Sequence, residues 1–262
     1  MPAYNAAKTV IQTYRDIPAG TVDHVILVDD VSQDQTVEVA LTLPIAVVTH
    51  IQNRGYGGNQ KTCYLEALKA GADIVVMLHP DHQYESSKVP ELVAPIIAGE
   101  ADVVLGSRFL NGKALEHGMP LWKYVANRGL TAFQNLCFCR KLSEYHTGMR
   151  AFSRAFLEQT PFLLNRDDFV FDAEMLAQAV HQRARIAEVA VAGRYFEDMS
   201  SVNFKVSTVY GFGVLGTCFR FVLHRLGVRK DPIFSSTLRE VLSRHHHPAV
   251  FGSEAPADSS GS

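Results

Sequence analysis

The chain has 262 residues, of which 47% are hydrophobic and 20% are charged, and its formal net charge is −2. This length fits one ordinary globular domain with a short appendage. The near-neutral charge argues against a dedicated nucleic-acid binder, which normally carries a clustered basic face. The four cysteines include no Cys-x-x-Cys pair, so we expect free thiols in a cytoplasmic protein and no structural zinc site. The N-terminal residues carry no signal-peptide pattern, which predicts a protein that is not exported.

The first part of the chain alternates short apolar runs with helical patterns, which is typical of parallel strands joined by crossover helices. Four apolar runs that end in polar residues are predicted strands: 24–30, 44–50, 73–81 and 101–108. The neighbouring segments are predicted helices: 5–17, 33–42, 58–70 and 87–98. Because the runs are apolar almost throughout, we expect strands covered on both faces, with ligands at their C-terminal ends.

Beyond residue 108 the sequence becomes mainly helical. It predicts helices at 120–139 and 172–182, a polar connection at 144–154, and a last strand at 186–196. The spacing over 206–226 is again helical. The final stretch, 244–262, is rich in His, Pro, Ser and Gly, which is typical of a disordered tail.

Acidic and polar residues stand at the ends of the predicted strands. Asp29 and Asp30 close the first strand, and His79, Asp81 and Gln83 surround the end of the third. Alternate residues of an extended segment point the same way, so the last three can face one ligand together. Their oxygen and imidazole groups suit Mg²⁺ or Mn²⁺ that retains water and bridges to a diphosphate. The alternative is that Asp81 caps the following turn and His79 is an ordinary strand-end histidine.

A glycine-rich segment, NRGYGGNQK at 53–61, leads into the third predicted helix. Glycines permit close approach of the backbone to a phosphate, and Lys61 supplies a cation. The segment matches neither the P-loop pattern nor the dinucleotide fingerprint. A flexible loop with a glycine-rich helix start therefore stays open as the alternative.

Seven short motifs occur in the order seen in family-two glycosyltransferases: PAYN (2–5), DDVSQDQT (29–36), NRGYGGNQK (53–61), HPDHQY (79–84), GSRF (106–109), TGMRAFSR (147–154) and FDAE (171–174). Over roughly residues 2–205, the chain resembles the branch of that family with dolichol-phosphate mannosyltransferase and bacterial polyprenyl-phosphate glycosyltransferases. The resemblance implies an α/β GT-A fold, Rossmann-like, with a mostly parallel central sheet flanked by helices. It also implies an inverting, cation-dependent transfer from a nucleotide sugar.

The resemblance implies a set of donor-binding residues, drawn from these motifs and from a late loop at 194–205. They are Pro2, Ala3 and Tyr4 at the nucleoside, Asp29 or Asp30 at the base or ribose, Lys61 near the donor, and Ser201 and Lys205 at the diphosphate.

The resemblance also implies the cofactor, a divalent cation (Mg²⁺ or Mn²⁺). Asp81 matches the last acid of the family's metal-binding motif, and Gln83 matches a residue that assists it. His79 stands where the family has its first acid, which weakens the charge compensation at the metal. Asp81 is therefore the expected catalytic and metal-binding residue, with Gln83 and His79 as further ligands.

Members of this family usually have a strand directly before the PAYN turn, whereas this sequence begins at Met1. Without that strand, apolar faces and backbone groups of the sheet would lose their partners. We therefore expect an N-terminally shortened chain, and the alternative is a sheet that lacks a central strand.

Two arginines hold the acceptor phosphate in the lipid-phosphate branch, and the matching residues are Arg108 and Arg128. Guanidinium groups suit this role because they bind phosphate oxygens bidentately and stay charged. A lipid phosphate is already an anion and needs no general base. A sugar hydroxyl needs a carboxylate to take its proton, and Asp172 or Glu174 is then the candidate catalytic base. Both carboxylates could instead stabilise the start of a helix.

The segment 206–227 is roughly 30 Å long if it is helical at about 1.5 Å per residue, close to the thickness of a bilayer's hydrocarbon core. Thr217, Arg220 and His224 make a polar stripe along it, and basic residues without acidic ones surround it. These features favour an amphipathic helix on an anionic membrane surface. A helix docked on the protein's own core and a membrane span are the alternatives.

The sequence thus predicts a GT-A glycosyltransferase domain at 1–205, an amphipathic helix at 206–230 and a tail at 231–262. The predicted function is transfer of a sugar from a UDP- or GDP-sugar to a polyprenyl or dolichyl phosphate, on the inner face of the membrane. Transfer to a sugar hydroxyl in polysaccharide or glycolipid synthesis is the first alternative. Others are a degenerate nucleotide-sugar-binding protein without turnover and a nucleotidyltransferase that releases pyrophosphate. A nucleic-acid partner is not expected, and self-association is left open.

Overall fold

The computed structural model describes residues 1–195 and 204–244, with the backbone alone given for 204, 205 and 244. Ser201, the side chain of Lys205 and the 245–262 part of the tail lie outside the described residues. The described strands are β1 (Pro2–Ala3), β2 (Ile26–Asp29), β3 (Ala46–Thr49), β4 (Ile74–Met77), β5 (Val103–Ser107), β6 (Arg150–Ser153) and β7 (Ile186–Ala190).

Ten α-helices connect and flank these strands in the described part of the chain. They are α1 (Val10–Arg15), α2 (Thr36–Ala40), α3 (Gly55–Lys69), α4 (Val89–Ile97), α5 (Leu121–Phe138), α6 (Arg154–Gln159), α7 (Phe171–His181), α8 (Phe204–Arg225), α9 (Pro232–Ser235) and α10 (Leu238–Arg244).

The strands form two hydrogen-bonded sheets. The first is wholly parallel, in the order β1-β2-β3, with Pro2 opposite Val28 and Ile26 opposite Ala46. The second has the order β4-β6-β5-β7, in which β6 runs antiparallel to both of its neighbours and β5 and β7 are parallel. The predicted α/β class with a mostly parallel arrangement and flanking helices is confirmed.

Two details of the sheet differ from the predicted elements. The predicted polar connection at 144–154 contains β6, whose residues Arg150–Phe152 are buried in the centre of the second sheet. The sequence of β6 lacks the apolar pattern of a strand because it begins with a charged residue. Arg150 can be buried there only because Asp172, elsewhere in the chain, pairs with it. Conversely, β3 is the edge of the first sheet and is half-exposed, so the prediction that it is covered on both faces is wrong.

Helices cover both faces of the sheets and bury two apolar clusters. One cluster includes Val10 and Leu92 from α1 and α4, together with Leu27 of β2. The larger one includes Tyr64 of α3 and residues of α5 to α10. Helix α7 is buried from Phe171 through Val180, so it is the central helix of this layer. Its first turn thereby becomes a rigid platform at the site described below.

Helix α8 packs against α5 and α7. Its buried side chains Val214, Cys218 and Phe221 recur at helical spacing. Arg220 lies on the same side and bonds Glu174 of α7 at 2.6 Å and Asp231 at 2.7 Å. The predicted polar stripe of α8 therefore faces the protein and its ion-pair partners, not water.

The outward side of α8 is apolar. Val209, Phe212 and Phe219 are 60%, 71% and 65% exposed. Among the described residues, α8 is the helix that is long and apolar enough to cross a membrane by length and composition, and 22% of that stretch is buried inside the protein. The segment after it also packs on the core, through Phe234, Leu238 and Leu242 of α9 and α10.

Candidate active site

Two cavities adjoin at the C-terminal ends of the strands. The large cavity, about 1700 Å³, lies between the β1 turn, the start of α3 and the loop at 166–169. The small cavity, about 280 Å³, lies between the segments after β4 and β5, helix α5 and helix α8. They share five lining residues: Tyr56, His79, Asp81, Phe169 and Tyr195. A group held in one cavity can therefore meet a group held in the other across this shared wall.

His79, Asp81 and Gln83 come together at the small cavity, and the first two also line the large one. They do so without the predicted extended geometry, because β4 already ends at Met77. Asp81 Oδ1 accepts the backbone N–H of Gln83 at 3.0 Å, and His82 between them has a left-handed φ of 59°. Asp81 thus does form the turn proposed as the alternative, while its carboxylate still faces the cavities.

Tyr56 connects His79 to Asp172 across the shared wall. The Tyr56 hydroxyl donates to Asp172 Oδ2 at 2.8 Å, and His79 Nε2 lies 3.3 Å from the hydroxyl oxygen of Tyr56. Because a carboxylate only accepts, the Tyr56 proton points at Asp172, and His79 Nε2 must be the protonated nitrogen that donates to Tyr56. Burial lowers the pKa of His79, so its other nitrogen keeps a free electron pair at neutral pH.

The shared wall fits a divalent cation that takes most of its ligands from a substrate. Among residues 1–195 and 204–244, no three His, Cys, Asp or Glu side chains cluster closely enough to form a metal centre of protein ligands alone. Burial raises the pKa of Asp81, so a cation beside it would relieve the cost of its desolvated charge. Asp81 and the neutral His79 are the ligand types that such a cation needs from the protein.

Three predicted donor residues line the large cavity: Pro2, Tyr4 and Asp30. Asp30 is buried, and its carboxylate accepts the backbone N–H groups of Arg54 at 2.8 Å and Gly55 at 2.9 Å. It also bonds His50 Nδ1 at 2.7 Å. Asp30 therefore fixes the start of α3 against the sheet while it borders the cavity.

Ala3, Asp29 and Lys61 do not belong to the described lining of either cavity. Asp29 accepts the backbone N–H of Ser32 at 3.0 Å and so closes the turn after β2. Lys61 is buried and ion-pairs with Asp167 at 2.7 Å. It therefore acts on the large cavity through Asp167, which lines it.

The glycines of the NRGYGGNQK segment have a packing role. A Cβ at Gly57 would lie 2.5 Å from the carbonyl oxygen of Arg166, and one at Gly55 would lie 2.7 Å from that of Asp167. The N–H of Gly57 donates to that Asp167 carbonyl at 2.7 Å. These glycines let α3 approach the 166–168 loop, and the predicted close approach of a phosphate is not needed to explain them.

Arg108 lines the small cavity with most of its donors already engaged. Its Nε donates to Glu144 at 3.0 Å and its Nη1 to Tyr195 at 2.9 Å. Glu144 is fully buried and also accepts from Asn127 at 2.9 Å. Burial alone would lower the pKa of Arg108, but the negative charge of Glu144 raises it well above its ordinary value. The pair is therefore a permanent ion pair in the cavity wall.

Arg128 lies outside the described lining of the small cavity, and Lys123 is the lysine of α5 that lines it. Arg128 is exposed, donates to the carbonyl of Ser143 at 3.0 Å and lies over the ring of Phe109. At 3.6 residues per turn, positions 123 and 127 share a face, whereas position 128 is rotated by about 100° from position 127. Helical spacing was the signal that could have singled out Lys123.

Asp172 lines the small cavity as well, but its oxygens are occupied. Besides Tyr56, it accepts Gln60 Nε2 at 3.1 Å and ion-pairs with Arg150 at 3.2 Å. Glu174, the other predicted carboxylate, does not belong to the lining and bonds Arg220 and the backbone N–H of Arg166. Arg150 was missed from the sequence because its partner lies 22 residues away.

Comparison with known proteins identifies the family of this chain. Residues 1–160 match the family model described as glycosyl transferase family 2. The UDP-N-acetylglucosamine–dolichyl-phosphate N-acetylglucosaminyltransferase of Methanococcus voltae is 28% identical over 244 residues, which cover 87% of this chain and 95% of the relative. The low-salt glycan biosynthesis hexosyltransferase Agl6 of Haloferax volcanii is 34% identical over 160 residues, 59% of this chain and 37% of the relative.

Solved structures show the same fold. The glucosyl-3-phosphoglycerate synthase of Mycobacterium tuberculosis with UDP has a TM-score of 0.64 at 21% identity, over 84% of this chain and 78% of that one. The same enzyme with Mn²⁺, UDP-glucose and phosphoglyceric acid has a TM-score of 0.60 at 22% identity, over 88% and 79%. The chain therefore belongs to glycosyl transferase family 2, with the GT-A fold and the glycosyltransferase activity of a nucleotide-sugar-dependent enzyme.

Proposed function

We propose that this glycosyltransferase moves a sugar from a UDP- or GDP-sugar to a polyprenyl or dolichyl phosphate, with inversion at the anomeric carbon. The observation that carries the proposal is the small cavity, in which Arg108, Lys123 and Arg194 border the same space. A lipid phosphate fits such a lining because it is anionic over the whole physiological pH range. The relative from M. voltae, named for transfer to dolichyl phosphate, supports the same acceptor class.

The donor belongs in the large cavity, with its nucleoside towards Pro2 and Tyr4 and its diphosphate towards the shared wall. Asp81, His79 and Gln83 are the residues that would hold the divalent cation. When bound, that cation supplies charge neutralisation to the departing nucleotide diphosphate. Asp30 positions the α3 start, and Lys61 positions the 166–168 loop through Asp167, so both act on the donor from behind the cavity surface. Ser201 and Lys205 stay proposed diphosphate partners.

In the small cavity, Lys123 attracts the acceptor phosphate, and the Arg108–Glu144 pair holds the wall in place. This replaces the predicted pairing of Arg108 with Arg128. From the small cavity, a phosphate oxygen of the acceptor attacks the anomeric carbon of the donor sugar. It needs no proton acceptor because it is already ionised. Tyr56, held by Asp172, borders the place where the two substrates meet.

The lipid chain of the acceptor would leave along the apolar side of α5 and α8. Trp122 borders the small cavity and is 41% exposed, and Val125 beside it is 61% exposed. Phe212 and Phe219 are exposed apolar side chains of α8, which packs against α5. Arg229 and Lys230, both exposed just beyond α8, suit an anionic leaflet. We therefore propose that the protein is peripheral on the cytoplasmic face of the membrane. Residues 206–230 would contact the membrane and hold the 1–205 domain beside it.

Transfer to a sugar hydroxyl is the second candidate, because Asp172 does border the small cavity. In that reaction Asp172 would have to take a proton. It already accepts from Tyr56 and Gln60 and is paired with Arg150. These contacts make it a structural carboxylate that is poorly placed to act as a base, which favours the phosphate acceptor.

The test is an acceptor panel with product analysis by mass spectrometry. The purified chain is incubated with Mn²⁺, a set of UDP- and GDP-sugars, and either a polyprenyl phosphate, the matching polyprenol or a free disaccharide. The proposal expects a glycosyl phosphate lipid, with equimolar release of UDP or GDP. Sugar on the disaccharide or polyprenol alone would support the hydroxyl reaction instead. Release of pyrophosphate, or of no nucleotide from any donor, would contradict both.

A further inference from the structure

His146 lines the small cavity with one ring nitrogen bonded and the other not. Its Nδ1 lies 2.7 Å from the hydroxyl of Tyr210 on α8. Its Nε2 is buried and has no hydrogen-bond partner in the described part of the protein. A buried polar atom without a partner, in the wall of a cavity that takes a substrate, indicates a contact that the substrate completes.

The position of the proton on His146 follows from the hydrogen bond to Tyr210. If Tyr210 donates to Nδ1, then Nε2 carries the proton and one N–H group is left without an acceptor. If Nδ1 donates instead, both Nε2 and the Tyr210 proton lack partners among the described residues. The first arrangement leaves fewer buried groups unsatisfied and is therefore the favoured one. His146 then presents an N–H donor.

The charges around His146 favour an anion as the missing partner. Arg108 lies against it and donates to its backbone carbonyl at 2.8 Å, and Lys123 lines the same cavity. Glu144, two residues before it, and Arg108 neutralise each other, so Lys123 is the cation that favours an anion here. Burial lowers the pKa of His146 to about 4, so the ring is neutral at physiological pH and contributes a directed donor without adding charge.

We propose that His146 is an acceptor-binding residue whose Nε2–H donates to an oxygen of a phosphate monoester, with Tyr210 holding it in the donor tautomer. This inference rests on the proposed function and adds to it a group that recognises phosphate oxygen by hydrogen bonding, beside the cations that attract it. It also connects the small cavity to α8, since Tyr210 belongs to that helix.

Trp122 offers a direct test, because it is the one tryptophan in the chain and it borders the small cavity. Its fluorescence is titrated with geranyl phosphate, geraniol and glycerol 3-phosphate, without donor. The variants are His146→Phe, His146→Gln, which keeps an N–H donor, and Tyr210→Phe. His24→Gln is the control, because His24 is exposed. A melting curve checks that each variant is folded, and calorimetry with Mn²⁺ and either UDP or GDP checks that its donor site is intact.

We expect His146→Phe to weaken geranyl phosphate binding by about 10-fold or more, and His146→Gln by no more than about 3-fold. Tyr210→Phe is expected to lie between them, and nitrogen NMR of the wild type should show the Nε2–H tautomer for the resonance that His146→Gln removes. His146→Phe with unchanged phosphate binding would overturn the role of His146 and leave the proposed function standing.

The titrations with geraniol and glycerol 3-phosphate distinguish that outcome from failure of the proposed function. Wild-type protein that binds geraniol as tightly as geranyl phosphate would overturn the phosphate acceptor itself, and the role of His146 with it. Glycerol 3-phosphate that binds as tightly as geranyl phosphate, and loses affinity equally in His146→Phe, would support the His146 donor. It would also identify a soluble phosphate ester, not a lipid, as the source of the phosphate.

Discussion

The two cavities that meet at Asp81 differ in charge. The large cavity is lined by five acidic residues, Asp30, Asp34, Asp81, Asp167 and Asp168, and three basic ones, Lys8, Arg54 and Arg166. The small cavity is lined by three basic residues, Arg108, Lys123 and Arg194, and two acidic ones, Asp81 and Asp172. A diphosphate in the first would meet an excess of negative charge, whereas a phosphate in the second would not. We therefore propose that the cation serves the donor side.

The largest expected effect concerns Asp81, one of the five residues that line both cavities. Asp81→Asn should lower turnover by about 10²–10³-fold, because it removes the carboxylate that would hold the cation at the leaving group. The fold should persist, since the asparagine oxygen can still accept the Gln83 N–H. UDP or GDP release gives the rate, and a melting curve checks the fold. Unchanged turnover in this variant would remove Asp81 from the centre of the mechanism.

In the wall of the small cavity, loss of one charge should lower the stability of the protein. Glu144→Gln leaves Arg108 buried without its counter-ion and should destabilise the protein by about 3–5 kcal/mol. Arg108 holds the pKa of Glu144 below its ordinary value against the opposing effect of burial. This stabilisation is therefore complete above the unfolded-state pKa and is lost as the pH falls through the lower folded-state pKa. Urea unfolding of both proteins measures it: their stabilities should converge in acid, and a constant difference would contradict the assignment.

Two neighbouring cations of α5 provide a matched pair on the acceptor side. Lys123→Ala should raise the KM for the acceptor by about 10-fold, as expected for loss of a charge-assisted bond to phosphate. Arg128→Ala removes an exposed cation outside the cavity and should change that KM by less than about 2-fold. The KM for the donor should stay the same in both variants. Equal effects of the two substitutions would mean that α5 presents a different face to the acceptor.

The smallest expected effect concerns the apolar side of α8. A Phe212→Ser/Phe219→Ser variant should bind vesicles that contain anionic lipid about 10-fold more weakly, because each ring loses its apolar contact. Turnover on a short, water-soluble acceptor should not change. Ile97→Ser, on the remote helix α4, is the control for loss of an exposed apolar side chain. Vesicle co-sedimentation measures the binding. Equal affinity of the two variants for the vesicles would argue against a membrane-facing α8.

Local patterns predicted those parts of the fold that depend on local chemistry. The apolar runs identify β2 to β5 and β7, and the polar ends of these runs point to the cavities. Strand β6 was missed because its first residue, the buried Arg150, is stabilised by Asp172 on a different element. That the polar stripe of α8 faces the protein could not be predicted for the same reason, since Arg220 finds Glu174 and Asp231 only in the folded chain.

In the candidate site, too, residues close in sequence could be predicted, whereas residues placed by contacts with distant elements could not. His79, Asp81 and Gln83 come together as predicted because they are close in sequence. The exchange of Arg128 for Lys123 depends on the rotation of α5, which the motif alone does not define. Asp29 and Lys61 match motif positions but contact Ser32 and Asp167 behind the cavity surface. Tyr56 lies inside the NRGYGGNQK motif and His146 directly before TGMRAFSR, but neither motif indicated a role for them, and their roles follow only from the atoms they contact.

The phosphate acceptor is tested most directly by ³¹P NMR of a reaction with a polyprenyl phosphate, Mn²⁺ and the donor that the acceptor panel identifies. The account predicts that the acceptor's monoester signal is replaced by that of a phosphodiester, at the rate at which UDP or GDP appears. It also predicts that the anomeric configuration of the sugar is inverted. A monoester signal that persists while the nucleotide is released would show that phosphate is not the nucleophile and would contradict the account.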